Sequence, residues 1–416
     1  MDCLKKLNVT SHFLIVRTLI FIIVFSGLSI FISCSTIRMA PKKQLLNAVQ
    51  RNLKDGVQQY KYLMTLLPPP DNFAKSYENN KLITAKSDDW ISGFYPGTLL
   101  YLYKATGDTV LKNEAQRIML SLAKEQYNTT NHDVGFMMYN SFGNLYKADP
   151  KPEYKQILIN SAKSLSTRFN AKVGSIKSWD SKDPSDFLVI IDNMMNLELL
   201  CWATRATGDS SYYKIAVTHA NTAMKNHFRP DYSSFHLVNY NPETGKVKQK
   251  KTVQGFADSS SWARGQAWGL YGFTMMYRET GDQKYLEQAN RIASYILNHP
   301  HLPEDKIPYW DYHASNIPNA YRDASAAAIM ASALIELSGY NKDDLSKKQF
   351  IAAERILLTF SGDEYKARPG TNGGFLLKHS VGHFPAKSQI DVPLSYADYY
   401  FVEAMLRYNK TLEFRK

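Results

Sequence analysis

Leu45, Val49, Leu53 and Val57 recur at the four-residue spacing of one helix face, in a segment running from Ile37 to Leu66 that Pro68-Pro69-Pro70 stops. Beyond it one pattern repeats: an apolar, aromatic-rich segment, a tight turn, then an amphipathic segment with Lys, Glu, Gln and Arg on one face. The turns read Ala105-Thr106-Gly107-Asp108, Ala206-Thr207-Gly208-Asp209 and Glu279-Thr280-Gly281-Asp282. Gly suits the left-handed residue that ends a helix, and the Asp after it can cap the next. Ala115, Ala216 and Ala289 each stand eight places beyond their Gly, and Leu337-Ser338-Gly339-Tyr340 is a weaker copy of the turn. The pattern predicts helical hairpins of one design, spaced too irregularly for a strict solenoid.

The segments before the turns, Gly97 to Tyr103, Met194 to Trp202 and Trp268 to Tyr277, are apolar nearly all round, as helices buried on both sides must be. Such inner helices alternating with amphipathic outer ones make a double-ring barrel. The expectation is an all-α toroid of about a dozen helices in one domain. Strand signals are sparse. The best is Phe235 to Asn239, which leads through Asn241-Pro242-Glu243-Thr244-Gly245 into a hairpin with Lys246 to Val253.

The N-terminus changes the domain picture. Lys5, Lys6 and Arg17 precede an apolar run from Leu19 to Ile32 that ends at Ser33-Cys34, the layout of a secretory signal. It resembles a bacterial lipoprotein signal, with Cys34 as the residue to be lipidated, although Phe31 stands where Leu is usual. The run is short for a membrane span. The chain therefore divides into a leader (1–33), a tether (34–42) and a helical domain (43–416). No acidic cluster follows Cys34, so the expected location is the periplasm of a Gram-negative bacterium, held by a lipid anchor. Of the three cysteines only Cys201 is then left, so no intramolecular disulfide is expected.

The 416 residues are 44% hydrophobic, ample for one large core, and the formal net charge is +12. A basic surface points to an acidic partner such as nucleic acid, anionic lipid or a polyanionic sugar. The positive residues are scattered, with no basic arm and no binding motif, which argues against nucleic acid. There is no metal-ligand spacing, no Gly-rich phosphate loop and no nucleophile elbow, so neither metal nor cofactor is expected.

The unusual residues gather in the loops entering the inner helices. These are Asp89 to Gly97, Asn131 to Phe136, the stretch from Trp179 to Asp192, His227 to His236, Val253 to Trp268, Tyr309 to Tyr312, Arg322 to Ser325, and Lys378 to Asp398. In a helical toroid such loops converge on one end of the ring. Trp with Asp, His, Gln and Arg suits a sugar site: flat faces for the ring, planar donors for hydroxyls and a carboxylate. Each has a plainer reading. Asp192, opening a predicted helix from Asp192 to Ala206, taken alone is a helix cap. Each Trp can be core, Arg264 can pair Asp258, His132 can orient Asp133, and His236 can be a satisfied buried histidine. Lys378, His379, His383 and Lys387 can recognise a sulfate or simply be solvated.

The ordered set WISGFYPG, HDVGF, IDNMMN, HFRPDYSSFH, SSSWARGQAWG and YADYY is similar to glycoside hydrolase family 88, the unsaturated glucuronyl hydrolases, over nearly all of Lys42 to Arg407. The resemblance implies an (α/α)6 barrel. It implies Asp192 as the acid/base, Asp133 as the second carboxylate, and Trp90, Trp179, His236, Gln254, Arg264 and Trp268 lining a sugar pocket, with His132 a further neighbour. The segment toward the C-terminus matches less closely. The implied substrate is a lyase-made disaccharide whose terminal uronic acid carries a C4=C5 double bond. Asp192 is then expected to hold its proton near neutral pH while Asp133 stays ionised. Three rivals remain: an unsaturated rhamnogalacturonyl hydrolase acting on pectin fragments, an ordinary inverting glycosidase, and a glycan-binding surface lipoprotein without catalysis.

Overall fold

The computed structural model describes residues 42–414. The predicted leader, Cys34 and the start of the predicted first helix at Ile37 lie outside the described residues. The helices in chain order are α1 Lys42–Leu66, α2 Phe94–Thr106, α3 Thr109–Leu122, α4 Asn144–Ala148, α5 Pro152–Ser166 and α6 Leu197–Thr207. They continue as α7 Ser210–Asn226, α8 Ala263–Thr280, α9 Gln283–Asn298, α10 Ala324–Tyr340, α11 Asp343–Thr359 and α12 Ser395–Phe414. A π-helical segment, Gly135–Gly143, runs directly into α4, and a 3-10 segment, Ile191–Asn196, runs into α6. Even-numbered helices form an inner ring and odd-numbered ones an outer ring. The inner ring closes where α12 packs between α10 and α2. This is the (α/α)6 barrel.

The turn signals act as the sequence implies. Gly107, Gly208 and Gly281 adopt φ of 74°, 79° and 70° and end α2, α6 and α8. Asp108, Asp209 and Asp282 accept from the backbone N–H two residues on and cap α3, α7 and α9. Ala115, Ala216 and Ala289 are fully buried, where a small side chain lets the outer helix approach. The weaker copy behaves differently. Gly339 lies inside α10, which continues to Tyr340, and Asn341 ends it by donating to the Leu337 carbonyl at 3.0 Å.

The expected hairpin is present, with slightly different limits. In chain order the strands are β1 Phe73–Glu78, β2 Lys81–Ala85, β3 Phe169–Asn170, β4 Ser175–Ile176, β5 Phe187–Ile190, β6 Leu237–Tyr240, β7 Val247–Lys251, β8 Ser380–His383 and β9 Ser388–Val392. β6 and β7 form the predicted hairpin, and β5 adds to it antiparallel, pairing Ile190 with Leu237. The predicted helix from Asp192 to Ala206 is helical but divided, a 3-10 turn over Ile191–Asn196 and then α6, with β5 leading into it. A half-buried ion network joins four of the inner helices, α6, α8, α10 and α12. Arg278 bonds Glu198 at 2.8 Å and Glu336 at 2.7 Å, and Arg407 bonds Glu336 at 2.6 Å.

Candidate functional site

Each inner helix begins at the same end of the ring, and each entrance contributes one side chain to a common cluster. Trp90 precedes α2, Asp133 the π-helical segment, and Asp192 α6. Arg264 is in the first turn of α8, Asp323 caps α10, and Tyr396 opens α12. Close approach of these entrances needs missing side chains. A Cβ on Gly135 would come within 2.6 Å of Asn196 Cα, and the Asn196 carbonyl oxygen of the side chain accepts from Phe136 N–H at 2.8 Å. That contact sets the Asp133 loop against the Asp192 turn.

Strand register places Asp192. β5 carries the chain up to Ile190, and Ile191 N–H donates to the His236 carbonyl at 3.0 Å. Asp192 and His236 are thereby held side by side. Asp192 is not a cap: the 3-10 turn begins after Ile190 and takes no side-chain bond there. The Asp192 carboxyl is buried and its Oδ2 has no hydrogen-bond partner. Opposite it, 3.8 Å away, is His236 Nε2, also buried and without a partner. His236 Nδ1 accepts from the N–H groups of Val253 and Gln254, at 2.9 and 3.2 Å. Those two donors assign the ring proton to Nε2, so a neutral imidazole points an N–H at the carboxyl. Burial drives the His236 pKa down to about 3, so the ring stays neutral. Burial pushes Asp192 up to about 7, with Arg264 pulling the other way.

Asp133 lies close enough to Asp192 to feel its charge. Its pKa is raised well above the usual carboxylate value, by burial first and then by Asp192. The direction runs against the expectation that Asp133 stays ionised: burial disfavours charge on both carboxyls, and at Asp133 the charge of Asp192 adds to it. His132 Nε2 sits 3.3 Å from Asp133 Oδ2, and burial keeps that imidazole neutral too.

Arg264 does not pair Asp258. Asp258 accepts from Thr252 N–H at 2.8 Å, and the Arg264 partner is the fully buried Asp323 at 3.3 Å. The Arg264 guanidinium also donates to the Val381 and Gly382 carbonyls of β8 and to Gln254 Oε1 at 2.7 Å. It lies 4.5 Å from the Trp262 ring centre and 5.3 Å from that of Tyr396. One cation therefore ties the Gln254 loop and the β8–β9 hairpin to the barrel.

The other candidates divide by depth. Trp90 is half-buried against Phe94, Phe136 and Tyr396. Trp179 bridges Asn131 through its backbone, and Ser178 accepts from His132 N–H at 3.0 Å, which puts Trp179 beside the His132-Asp133 pair. Its ring rests on Leu188, Ile190 and Leu237. Trp268 lies deeper, fully buried against Phe136 and Tyr400, with its indole N–H unpartnered. Lys378 bonds the Asp363 carbonyl at 2.6 Å, and His379 bonds Asp391 at 2.6 Å, so both are already engaged. Asp323, Tyr396 and Trp262 were not singled out from sequence. Asp323 had a signal, since Asp-Ala-Ser before an alanine-rich run is a capping pattern. Among the described residues no group of three His, Cys, Asp or Glu is placed to hold a metal ion.

A donor acid near neutrality, a neutral N–H facing it, and aromatic and planar polar walls can protonate a bound sugar and stabilise the carboxylate left behind. Comparison with known proteins gives the same chemistry a lineage. Glycosyl Hydrolase Family 88 matches residues 70–357. An unsaturated glucuronyl hydrolase of Formosa agariphila is 43% identical over 396 residues, covering 94% of this chain and 98% of the relative. An unsaturated chondroitin disaccharide hydrolase of Streptococcus agalactiae is 31% identical, covering 90% and 94%. A solved unsaturated glucuronyl hydrolase specific for heparin superposes with a TM-score of 0.85 at 47% identity, over 88% of this chain and 98% of the other. The chain described here belongs to glycoside hydrolase family 88.

Proposed function

We propose that this enzyme hydrates the C4=C5 double bond of the unsaturated uronic acid that a polysaccharide lyase leaves on a glycosaminoglycan disaccharide. The bond is an enol ether. Protonated Asp192 gives its proton to C4, leaving an oxocarbenium ion shared by C5 and the ring oxygen. Water adds at C5, and the Asp192 carboxylate takes the proton that the water gives up, which restores the acid. The product is a hemiketal that opens, and the partner sugar leaves with no attack at C1. His236 Nε2–H faces the carboxylate during the interval when it carries charge. The observation that carries the reading is this one: a buried carboxyl, held protonated to about pH 7, confronts a neutral N–H inside the cup formed by the inner-helix entrances.

The test is to mix the purified protein with unsaturated disaccharides and follow loss of the ultraviolet absorbance of the double bond. Turnover of saturated glycosides instead would overturn the mechanism. Replacing Asp192 with Asn should lower kcat by at least about a hundredfold, the lower end of what a general acid contributes. A heparin-type disaccharide is the first substrate to try, because the heparin-specific relative is 47% identical whereas the chondroitin hydrolase is 31% identical. The chondroitin disaccharide is the second arm. For location, export with a lipid on Cys34 is our reading of the leader. Acyl-chain labelling that persists in Cys34→Ala would sink it.

A further inference from the structure

Four aromatic rings form a row on the rim beside the site. Phe384, in the β8–β9 turn, stacks on Trp310 with ring centres 4.3 Å apart and planes 20° from parallel. Phe256 meets the other side of the row, 6.5 Å from Trp310 and nearly edge-on, and Tyr321 lies 6.1 Å from Phe384. Trp310 is buried, but Phe256 is 47% exposed and Tyr321 44% exposed. These rings are held in place by their backbones. Phe256 N–H donates to the buried Asp311 carboxylate at 2.9 Å, Trp310 N–H to the Tyr321 carbonyl at 2.9 Å, and Ala263 N–H to the Trp310 carbonyl at 3.1 Å.

The row continues the site. Phe256 is two residues beyond Gln254, and Phe384 is two beyond Gly382; the side chain of the first and the carbonyl of the second both accept from Arg264. Apolar rings nearly half open to water are unfavourable unless something covers them. A narrow row, unlike a broad apolar patch, suits a chain of rings that presents C–H faces to it and hydroxyls to water. One flank is basic: exposed Lys387 follows Phe384 in the same hairpin turn, which its N–H closes on the Phe384 carbonyl at 2.9 Å. That charge complements an acidic polysaccharide.

We infer that Phe256, Tyr321 and Phe384 form a platform for a sugar ring beyond the disaccharide, so that this enzyme takes longer unsaturated glycosaminoglycan fragments in preference to the shortest. The inference rests on the proposed function, because the occupant is the reducing-end continuation of the same substrate.

The experiment compares an unsaturated tetrasaccharide with the unsaturated disaccharide from one lyase digest. The readout is the ratio of their kcat/KM values. For the native enzyme the ratio should be roughly two- to tenfold above one, the range that aromatic contacts of about 0.5–1.5 kcal/mol give. In the Phe256→Ala/Tyr321→Ala double variant, whose side chains are exposed enough for the fold to tolerate the change, the ratio should fall toward one. A native ratio of one, or a ratio unmoved by the double variant, overturns the platform. If neither fragment is hydrolysed, the proposed function fails, and the platform is then read from the ratio of dissociation constants by calorimetry. A ratio that stays at one in that assay overturns it as well.

Discussion

Asp192 and Asp133 share a pocket but hold their protons for different reasons. Burial alone lifts Asp192 to about 7, while Asp133 is lifted by burial and again by the charge of Asp192. On this ordering Asp192 loses its proton while Asp133 still holds its own, and Asp192 ionisation limits activity on the alkaline side. Activity needs the protonated acid, so kcat should decline as pH rises through about 7. Asn in place of Asp133 mimics the protonated form of that residue. We expect Asp133→Asn to leave the alkaline limb of the kcat profile where it is. A limb displaced to lower pH would mean that an ionised Asp133 had been supporting the proton on Asp192. This role was only partly visible in the sequence. Both carboxylates were found, because they stand in unusual loops at the mouths of apolar helices. Their protonation order was not, because it depends on charges brought close only by the fold, such as Arg264 acting on Asp192.

Among the elements, the helix turns offer a controlled comparison. Gly208 ends α6 with φ of 79°, whereas Gly339 lies inside α10, and a Cβ at either position would meet nothing within 4 Å. Packing is therefore the same for both, and backbone conformation alone differs. Gly208→Ala should lower stability by about 1–2 kcal/mol, and Gly339→Ala should raise it by about 0.5 kcal/mol, measured by denaturant unfolding. Equal effects would mean that the two turns are alike. The helical hairpins were legible because a Thr-Gly-Asp turn and an apolar-to-amphipathic switch are local signals. β5 was not. Phe187-Leu-Val-Ile190 is a short apolar run that periodicity cannot tell from buried helix, and only its pairing with Leu237 to Tyr240 makes it a strand. The same pairing explains why Asp192 does not cap: a strand delivers it to the site already aligned with His236.

For the whole molecule, buried carboxyls couple stability to pH. Asp398 on α12 accepts from Leu376 and Leu377 N–H at 2.8 and 2.9 Å and from the Tyr60 hydroxyl of α1, yet burial still pushes it up to about 7. Asp192 and Asp133 are raised as well. A carboxyl raised in the folded state stabilises fully below its unfolded value of about 4, and that contribution is lost as pH climbs through the folded value. Carboxylates that are lowered, such as Glu198 and Glu336 beside Arg278, act in the opposite sense and weaken the fold on acidification. The melting temperature should therefore be higher near pH 5.5 than at pH 8 by the first effect, and the difference should shrink in Asp192→Asn. A melting temperature that rises toward pH 8 would contradict this account.

The shared orientation of the inner helices has one more consequence. Each helix start carries a partial positive charge of about half a unit from its aligned peptide dipoles. Six starts on one rim make a standing field that belongs to the backbone and to no side chain. Such a rim favours an acidic group at the site itself, at the range of the first helical turn, whatever the surface lysines add at longer range. The same field works against the proton on Asp192, and burial away from water is what lets the acid keep it.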